Sequence, residues 1–275
     1  EDEMPYANPL GMIYDSGDYR KCITMALARA DWSGIDARRA EAEACGQLLG
    51  VGFASYVESS IGTPLEQARI TVTEEDRIDV VTGTQPSGQG HETSFAQVAA
   101  EWLGVPVENV AIRIGDTDVV QVGGGSHSGR SMRMAGTVIV LAADDLIKKG
   151  KTVAADVLEV AESDVEFLDG QFRVIGTDRS IDWFELAGRT DAGTLEVIRA
   201  NEMQTPVFPN GCHICEVELD PETGATKLTR YTAIDDVGRA INPMIVHGQT
   251  HGAVAQGLGQ AMLESCVVDP GTGQV

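Results

Sequence analysis

Residues 83–93 read Gly-Thr-Gln-Pro-Ser-Gly-Gln-Gly-His-Glu-Thr, a run of glycines, hydroxyls and amides beside one histidine and one glutamate. It follows a strand-like stretch at 77–82 and opens onto residues 94–103, where Phe95, Val98, Ala99 and Trp102 recur at helical spacing. At such a strand-to-helix turn these residue types can cradle an anion. Gly88 and Gly90 lack Cβ atoms, so the backbone can take positive φ and approach a ligand closely, and the following helix offers free N–H groups. A glycine-rich connection that holds no ligand carries the same signature. Glu92 stands at a helix start, which accounts for a carboxylate without catalysis.

Two further loops repeat the plan. Residues 121–131 read Gln-Val-Gly-Gly-Gly-Ser-His-Ser-Gly-Arg-Ser and precede a long apolar helix predicted at about 132–147. Residues 235–243 read Asp-Asp-Val-Gly-Arg-Ala-Ile-Asn-Pro and lead to a helix that carries Gln256 within Gly-Gln-Thr-His-Gly-Ala-Val-Ala-Gln-Gly-Leu-Gly. Three loop-then-helix elements predict one extended ligand with several hydrogen-bonding oxygens. Arg130 is the only Lys or Arg between Arg113 and Arg133, and its charge at a helix start opposes the helix dipole, which suggests an anionic partner. The alternative is a salt bridge to Asp116 or Asp118, just as Gln89 and Gln256 have the alternative of capping a helix or a sheet edge.

The 275 residues carry 20 Lys and Arg against 42 Asp and Glu, a formal charge of −22, which argues against a nucleic-acid backbone or an anionic membrane as partner. An acidic surface with few lysines (Lys21, Lys148, Lys149, Lys151, Lys227) would suit high salt. The five cysteines are odd in number and sparse, so a reduced, cytoplasmic compartment fits better than a disulfide scaffold. Cys212 and Cys215 form a C-x-x-C inside a strand-like run with no second pair at ligand spacing, and core thiols are favoured over zinc. No apolar run reaches the roughly 18 residues of a membrane span, and no basic-then-apolar leader is present.

The predicted elements form an α+β chain of mixed or antiparallel sheets with helices packed on one face, in two related lobes. Residues 1–45 read as a helical lead-in, with a helix at 15–32 capped by Ser16 and more helix at 36–44. Residues 46–160 form the first lobe: an antiparallel meander of strands at 48–59, 68–73 and 77–82, the helix at 94–103, a strand at 110–114, then helices at 132–147 and 152–160. Residues 161–275 form the second: a hairpin about Asp169-Gly170, a short helix at 181–187, strands at 213–219 and 227–233, and the last helix.

Taken together, Tyr14-Asp15-Ser16-Gly17-Asp18-Tyr19, Gly88-Gln89-Gly90-His91-Glu92-Thr93, Gly115-Asp116-Thr117-Asp118, Ser128-Gly129-Arg130-Ser131, Asp235-Asp236-Val237-Gly238-Arg239 and Gly252-Ala253-Val254-Ala255-Gln256-Gly257-Leu258-Gly259 closely resemble the molybdenum-cofactor-binding large subunits of the xanthine dehydrogenase, aldehyde oxidase and aerobic carbon monoxide dehydrogenase family. The resemblance implies that Gly88, Gln89, Gly90 and His91, then Ser128, Gly129, Arg130 and Ser131, and finally Gln256 contact a molybdenum–molybdopterin cofactor, in its cytosine dinucleotide form. Gly129 stands where family members often carry a hydroxyl residue. It further implies hydroxylation or dehydrogenation of a small aldehyde, heteroaromatic or carbon monoxide substrate with water as oxygen source, and electron transfer to an iron–sulfur subunit and a flavin (FAD) subunit. The family's downstream Gly-x-Gly-Glu, whose glutamate is the catalytic base, does not occur in residues 1–275, so the expectation is a piece of a longer polypeptide that is inactive alone and exposes faces through which it could pair as a homodimer. A catalytically silent scaffold of the same family is the alternative.

Overall fold

The computed structural model describes residues 1–60 and 62–275. A two-residue ladder of β1 (Tyr6–Ala7) on β2 (Ile13–Tyr14) precedes helices α1 (Tyr19–Arg29) and α2 (Ile35–Ala44). There follow β3 (Leu48–Val57), β4 (Leu65–Thr73), β5 (Arg77–Thr82), α3 (His91–Leu103), β6 (Val110–Arg113) and α4 (Arg130–Val157). The remainder is β7 (Val165–Leu168), β8 (Gln171–Val174), β9 (Ser180–Asp182), α5 (Trp183–Gly188), β10 (Thr194–Glu202), β11 (Asn210–Leu219), β12 (Thr226–Asp236) and α6 (Pro243–Met262). No described helix is long and apolar enough to cross a membrane.

Strict alternation on β4, with Ala68, Ile70 and Val72 buried and their neighbours half-buried, sets one face of a mixed sheet in the order β10-β4-β5-β6. α3 bridges the parallel pair β5 and β6, as a parallel connection requires. It lays Phe95, Ala99 and Leu103 on that face beside Ala135, Val138, Ile139, Ala142, Ala143 and Leu146 of α4. The small residues Ala135, Gly136, Ala142 and Ala143 let α4 come close to the sheet. A second, antiparallel sheet, β12-β11-β3, is covered on one face by α1 through Ala26, Ala30, Cys212 and Ile214. The third, β7-β8-β9, is sealed by Phe167, Phe172 and Trp183, with the Trp183 indole N–H donating to the Leu103 carbonyl at 2.9 Å. The fold is thus α+β with mixed and antiparallel sheets, as the sequence implies.

Several boundaries are corrected. β3 does not extend a meander with β4: both edges of β4 are taken, by β5 and by nine paired residues of β10, while β3 pairs along its whole length with β11. Two sheets take strands from both sides of residue 160, since β10 pairs with β4 and β11 with β3. The lead-in is also part of the second sheet's packing, because Arg38 of α2 forks Glu216 of β11 with two 2.9 Å bonds. The two helices predicted at 132–147 and 152–160 are one. Gly150 does not break it but makes room, since a Cβ there would lie 2.3 Å from Cζ of Phe172. Finally, the cap of α1 is Asp18, whose carboxylate accepts from the Lys21 N–H at 3.0 Å, rather than Ser16.

Candidate functional site

β5 runs into the loop that ends at Gly90, the N-cap of α3, and β6 leads to the loop that ends at Gly129, the N-cap of α4; both caps are left-handed, with φ of 62°. The two loops cross backbone to backbone. A Cβ on Gly83 would lie 2.2 Å from the Gly123 Cα, and one on Gly123 would lie 2.3 Å from the Gly83 Cα, so no side chain fits at either position.

Beneath the crossing lies Glu66 of β4, 1% exposed. Its Oε1 accepts from the N–H of Gly83 at 3.1 Å and of Gln67 at 3.3 Å. Its Oε2 accepts from the N–H of Gly124 at 3.4 Å and from Arg130 Nη1 at 3.0 Å. Arg130 is fully buried at the first position of α4, and its remaining bonds run from Nε to the Thr63 carbonyl (3.0 Å), from Nη2 to the Leu65 carbonyl (3.1 Å) and from Nη1 to the Gly125 carbonyl. A line of polar side chains also ties the loops: Gln89 Nε2 donates to Ser126 Oγ (3.1 Å), Ser126 and Ser131 hydroxyls lie 2.7 Å apart, and Thr84 Oγ1 donates to Ser131 Oγ (2.8 Å).

What this scaffold leaves open is a set of donors. The N–H groups of Gln89, Gly90, His91 and Glu92 reach no acceptor among the described residues, nor do those of Ser128, Gly129, Ser131 and Met132. These are the orphan donors of two helix N-termini, where the dipole favours negative charge. His91 is 4% exposed and stacked on Phe95 at 4.7 Å, and its Nδ1 has no partner among the described residues. Burial pushes its pKa below the ordinary histidine value, which favours the neutral imidazole. Gly88 has a φ of 117°, which only glycine takes readily, and the space its Cβ would fill is open.

The N-terminus of a third helix, α6, abuts the first loop. Asn242 caps it, accepting from the Ile245 N–H at 3.2 Å, while its amide donates to Gln97 of α3 at 3.0 Å. A Cβ on Gly90 would lie 3.1 Å from Ile245 Cδ1. Further along, Thr250 Oγ1 donates to Asp235 Oδ2 at 3.0 Å, and Asp235 Oδ1 takes bonds of 2.8 Å from both Tyr56 and His213. Burial pushes the Asp235 carboxyl up, but the three hydrogen bonds outweigh it and hold the pKa below the usual carboxylate value.

Of the residues singled out from sequence, Gly88, Gln89, Gly90 and His91 are therefore brought to the same place as Ser128, Gly129, Arg130 and Ser131. Gln256 is exposed on α6 and makes no hydrogen bond to either loop among the described residues. The guanidinium of Arg130 faces inward onto loop carbonyls, and its carboxylate partner is Glu66 rather than Asp116 or Asp118. Sequence reasoning missed Glu66. The signal was its parity, since positions 66, 68, 70 and 72 share the buried face of β4 and only one of them is charged.

Two loops that empty onto helix N-termini, with free N–H groups and a buried, unpartnered imidazole, define a module for an anionic, oxygen-rich ligand. A model of the molybdopterin cofactor-binding domain matches residues 25–275, and the chain belongs to that family. It is 32% identical to the nicotine 6-hydroxylase large subunit of Paenarthrobacter nicotinovorans, over 97% of this chain and 36% of that subunit. It is also 32% identical to the carbon monoxide dehydrogenase large chain of Hydrogenophaga pseudoflava, over 95% and 35%. Among solved structures, quinoline 2-oxidoreductase from Pseudomonas putida 86 matches with a TM-score of 0.85 and 32% identity, covering 100% of this chain and 38% of the other. Reconstituted carbon monoxide dehydrogenase from Oligotropha carboxidovorans matches at 0.83 and 31%, covering 98% and 36%. The chain thus spans little more than a third of the relatives it matches.

Proposed function

We propose that the loops at 83–91 and 123–131 hold the pterin and pyrophosphate of a molybdopterin cofactor, within a larger molybdenum oxidoreductase that oxidises a small aldehyde, heteroaromatic or carbon monoxide substrate with water as oxygen source. The observation that carries this is that the first N–H groups of α3 and α4, and the Nδ1 of His91, find no acceptor or partner among the described residues, in two loops that cross at Gly83 and Gly123. Phosphate oxygens suit the former, and a ring nitrogen or carbonyl of a pterin suits the latter. The bound group would supply the redox chemistry. The chain's residues bind and orient it: Gly88 gives close backbone approach, Gln89 and Ser131 fix the loop spacing through Ser126, and Gln256 would reach the cofactor from α6.

The relatives' names support the reaction class, since one is a hydroxylase of nicotine and others are carbon monoxide dehydrogenases. A further relative is subunit gamma of the 6-hydroxypseudooxynicotine dehydrogenase complex, which supports partner subunits; the likeness to carbon monoxide dehydrogenase large chains supports assigning those partners as iron–sulfur and flavin (FAD) subunits and the cofactor as the cytosine dinucleotide form. On this reading residues 1–275 hold the cofactor without supplying the base, and they turn over nothing by themselves. Molybdenum, pterin and released nucleotide should be quantified on the full-length subunit, expected at one of each per subunit. Neither metal nor pterin would leave the silent scaffold as the reading.

A further inference from the structure

Glu66 and Arg130 are the most deeply buried charges in the chain, with side chains 1% and 0% exposed and 3.0 Å apart. Stability does not explain them, because replacing a buried ion pair by apolar residues of similar size is often neutral or stabilising. What such a pair can fix is geometry. The carboxylate is divided between the loops: Oε1 takes Gly83 of the first, and Oε2 takes Gly124 of the second together with Arg130, which in turn holds the Gly125 carbonyl. The guanidinium lies flat under Gly124, where a Cβ would fall 2.6 Å from its Cζ. Neither loop can shift against the other without pulling on this one carboxylate.

We propose that Glu66 and Arg130 are a positioning pair, a latch that sets the first turns of α3 and α4 at the separation at which both face one cofactor. The proposal rests on the cofactor reading above. Neither residue touches the ligand; they act through the backbone of residues 83 and 124–125.

The test uses the full-length subunit with its cofactor. Glu66→Gln keeps the shape but turns an amide donor toward the Gly124 N–H and Arg130. Amide exchange at Gly83 and Gly124, and the rate of cofactor release, should each rise about tenfold, as expected for losing one hydrogen bond to a charged group. A melting temperature that falls in this variant does not separate positioning from bulk stability, so the double variant Glu66→Leu/Arg130→Met decides. It leaves no lone charge buried, so its melting temperature should rise above that of Glu66→Gln, but it leaves the Gly83 and Gly124 N–H groups without an acceptor, so release should stay fast. Release that returns to the wild-type rate together with the melting temperature overturns the latch. Exchange unchanged in Glu66→Gln overturns it too, while leaving the cofactor reading intact. Exchange raised with cofactor content and release untouched overturns the assignment of these loops to the cofactor, and the positioning role with it. Should the double variant fail to accumulate, Glu66→Asp keeps both charges but shortens the reach by one methylene, and faster exchange and release are expected there on the same terms.

Discussion

Gly83→Ala is the substitution whose sign and size the structure fixes. Gly83 does not have a positive φ, so alanine is compatible with its backbone, and elsewhere such a change would stabilise by about 0.4–1 kcal/mol by restricting the unfolded chain. Here the new methyl would lie 2.2 Å from the Gly123 Cα and 2.7 Å from the Val122 carbonyl oxygen. Carbon atoms pack no closer than about 3.5 Å, so the loops must part by roughly 1.3 Å, and because the obstacle is backbone no side-chain rotation relieves it. Overpacking of this kind costs about 1–3 kcal/mol, which lowers the melting temperature by up to about 10 °C in a chain of this length once the unfolded-state gain is subtracted. The parting also strains the Gly83 N–H bond to Glu66, so cofactor content of the full-length subunit should fall. Thermal melting with molybdenum and pterin analysis measures both. A variant that melts at or above the wild-type temperature with its cofactor retained would refute the close contact.

Other perturbations separate the parts of the site. Gln89→Ala breaks only the loop-level bonds to Ser126 and to the Ser87 N–H, so cofactor retention should drop while the melting temperature moves little; the reverse pattern, read by the same two assays, would make Gln89 structural. His91 has a folded pKa below its ordinary value, so the unfolded chain takes up a proton that the folded one refuses. Its contribution is complete above about pH 6.5 and is lost as pH falls below that, and His91→Phe should flatten this part of a melting-temperature profile taken from about pH 5 to 8. Asp235 shows the same trend for an acid held below its ordinary value: its contribution is present above that value and lost as pH falls through the folded pKa. Asp235→Asn should cost about 1–3 kcal/mol and speed limited proteolysis within α6, because the bond from Thr250 anchors that helix to the sheet; cleavage at the wild-type rate would place the anchor elsewhere.

The hairpin about Asp169-Gly170, the helix after Gly90 and the pair of strands beginning near residues 213 and 227 were legible because their periodicity and turn residues are local. So was the pairing of glycine-rich loops with helix starts. β10 was not: only Leu195 is buried along it, and its nine residues alternate too weakly to announce a strand until β4 is beside them. The fate of β3 was equally hidden, since strand propensity says nothing of which edge is vacant. Gly150 misled because a glycine that ends a helix and one that admits an aromatic ring are spelled alike. The carboxylate that pairs with Arg130 was not legible either, because Glu66 stands 64 positions earlier, a distance that no motif spans.

α4 runs unbroken for 28 residues, from the loop at Arg130 to the small sheet that notches into it at Gly150. Twenty residues of helix cover about 30 Å, and a helix without a kink moves as a rod. The docking of Phe172 against Gly150 therefore acts as a distant end-stop, and a side chain added there would slide or tilt the rod and carry its N-terminal tip along. Sequence changes in the β7-β8-β9 sheet, far from any bound group, can in this way retune the spacing of the donors at α4's other end without altering a single residue of the loops.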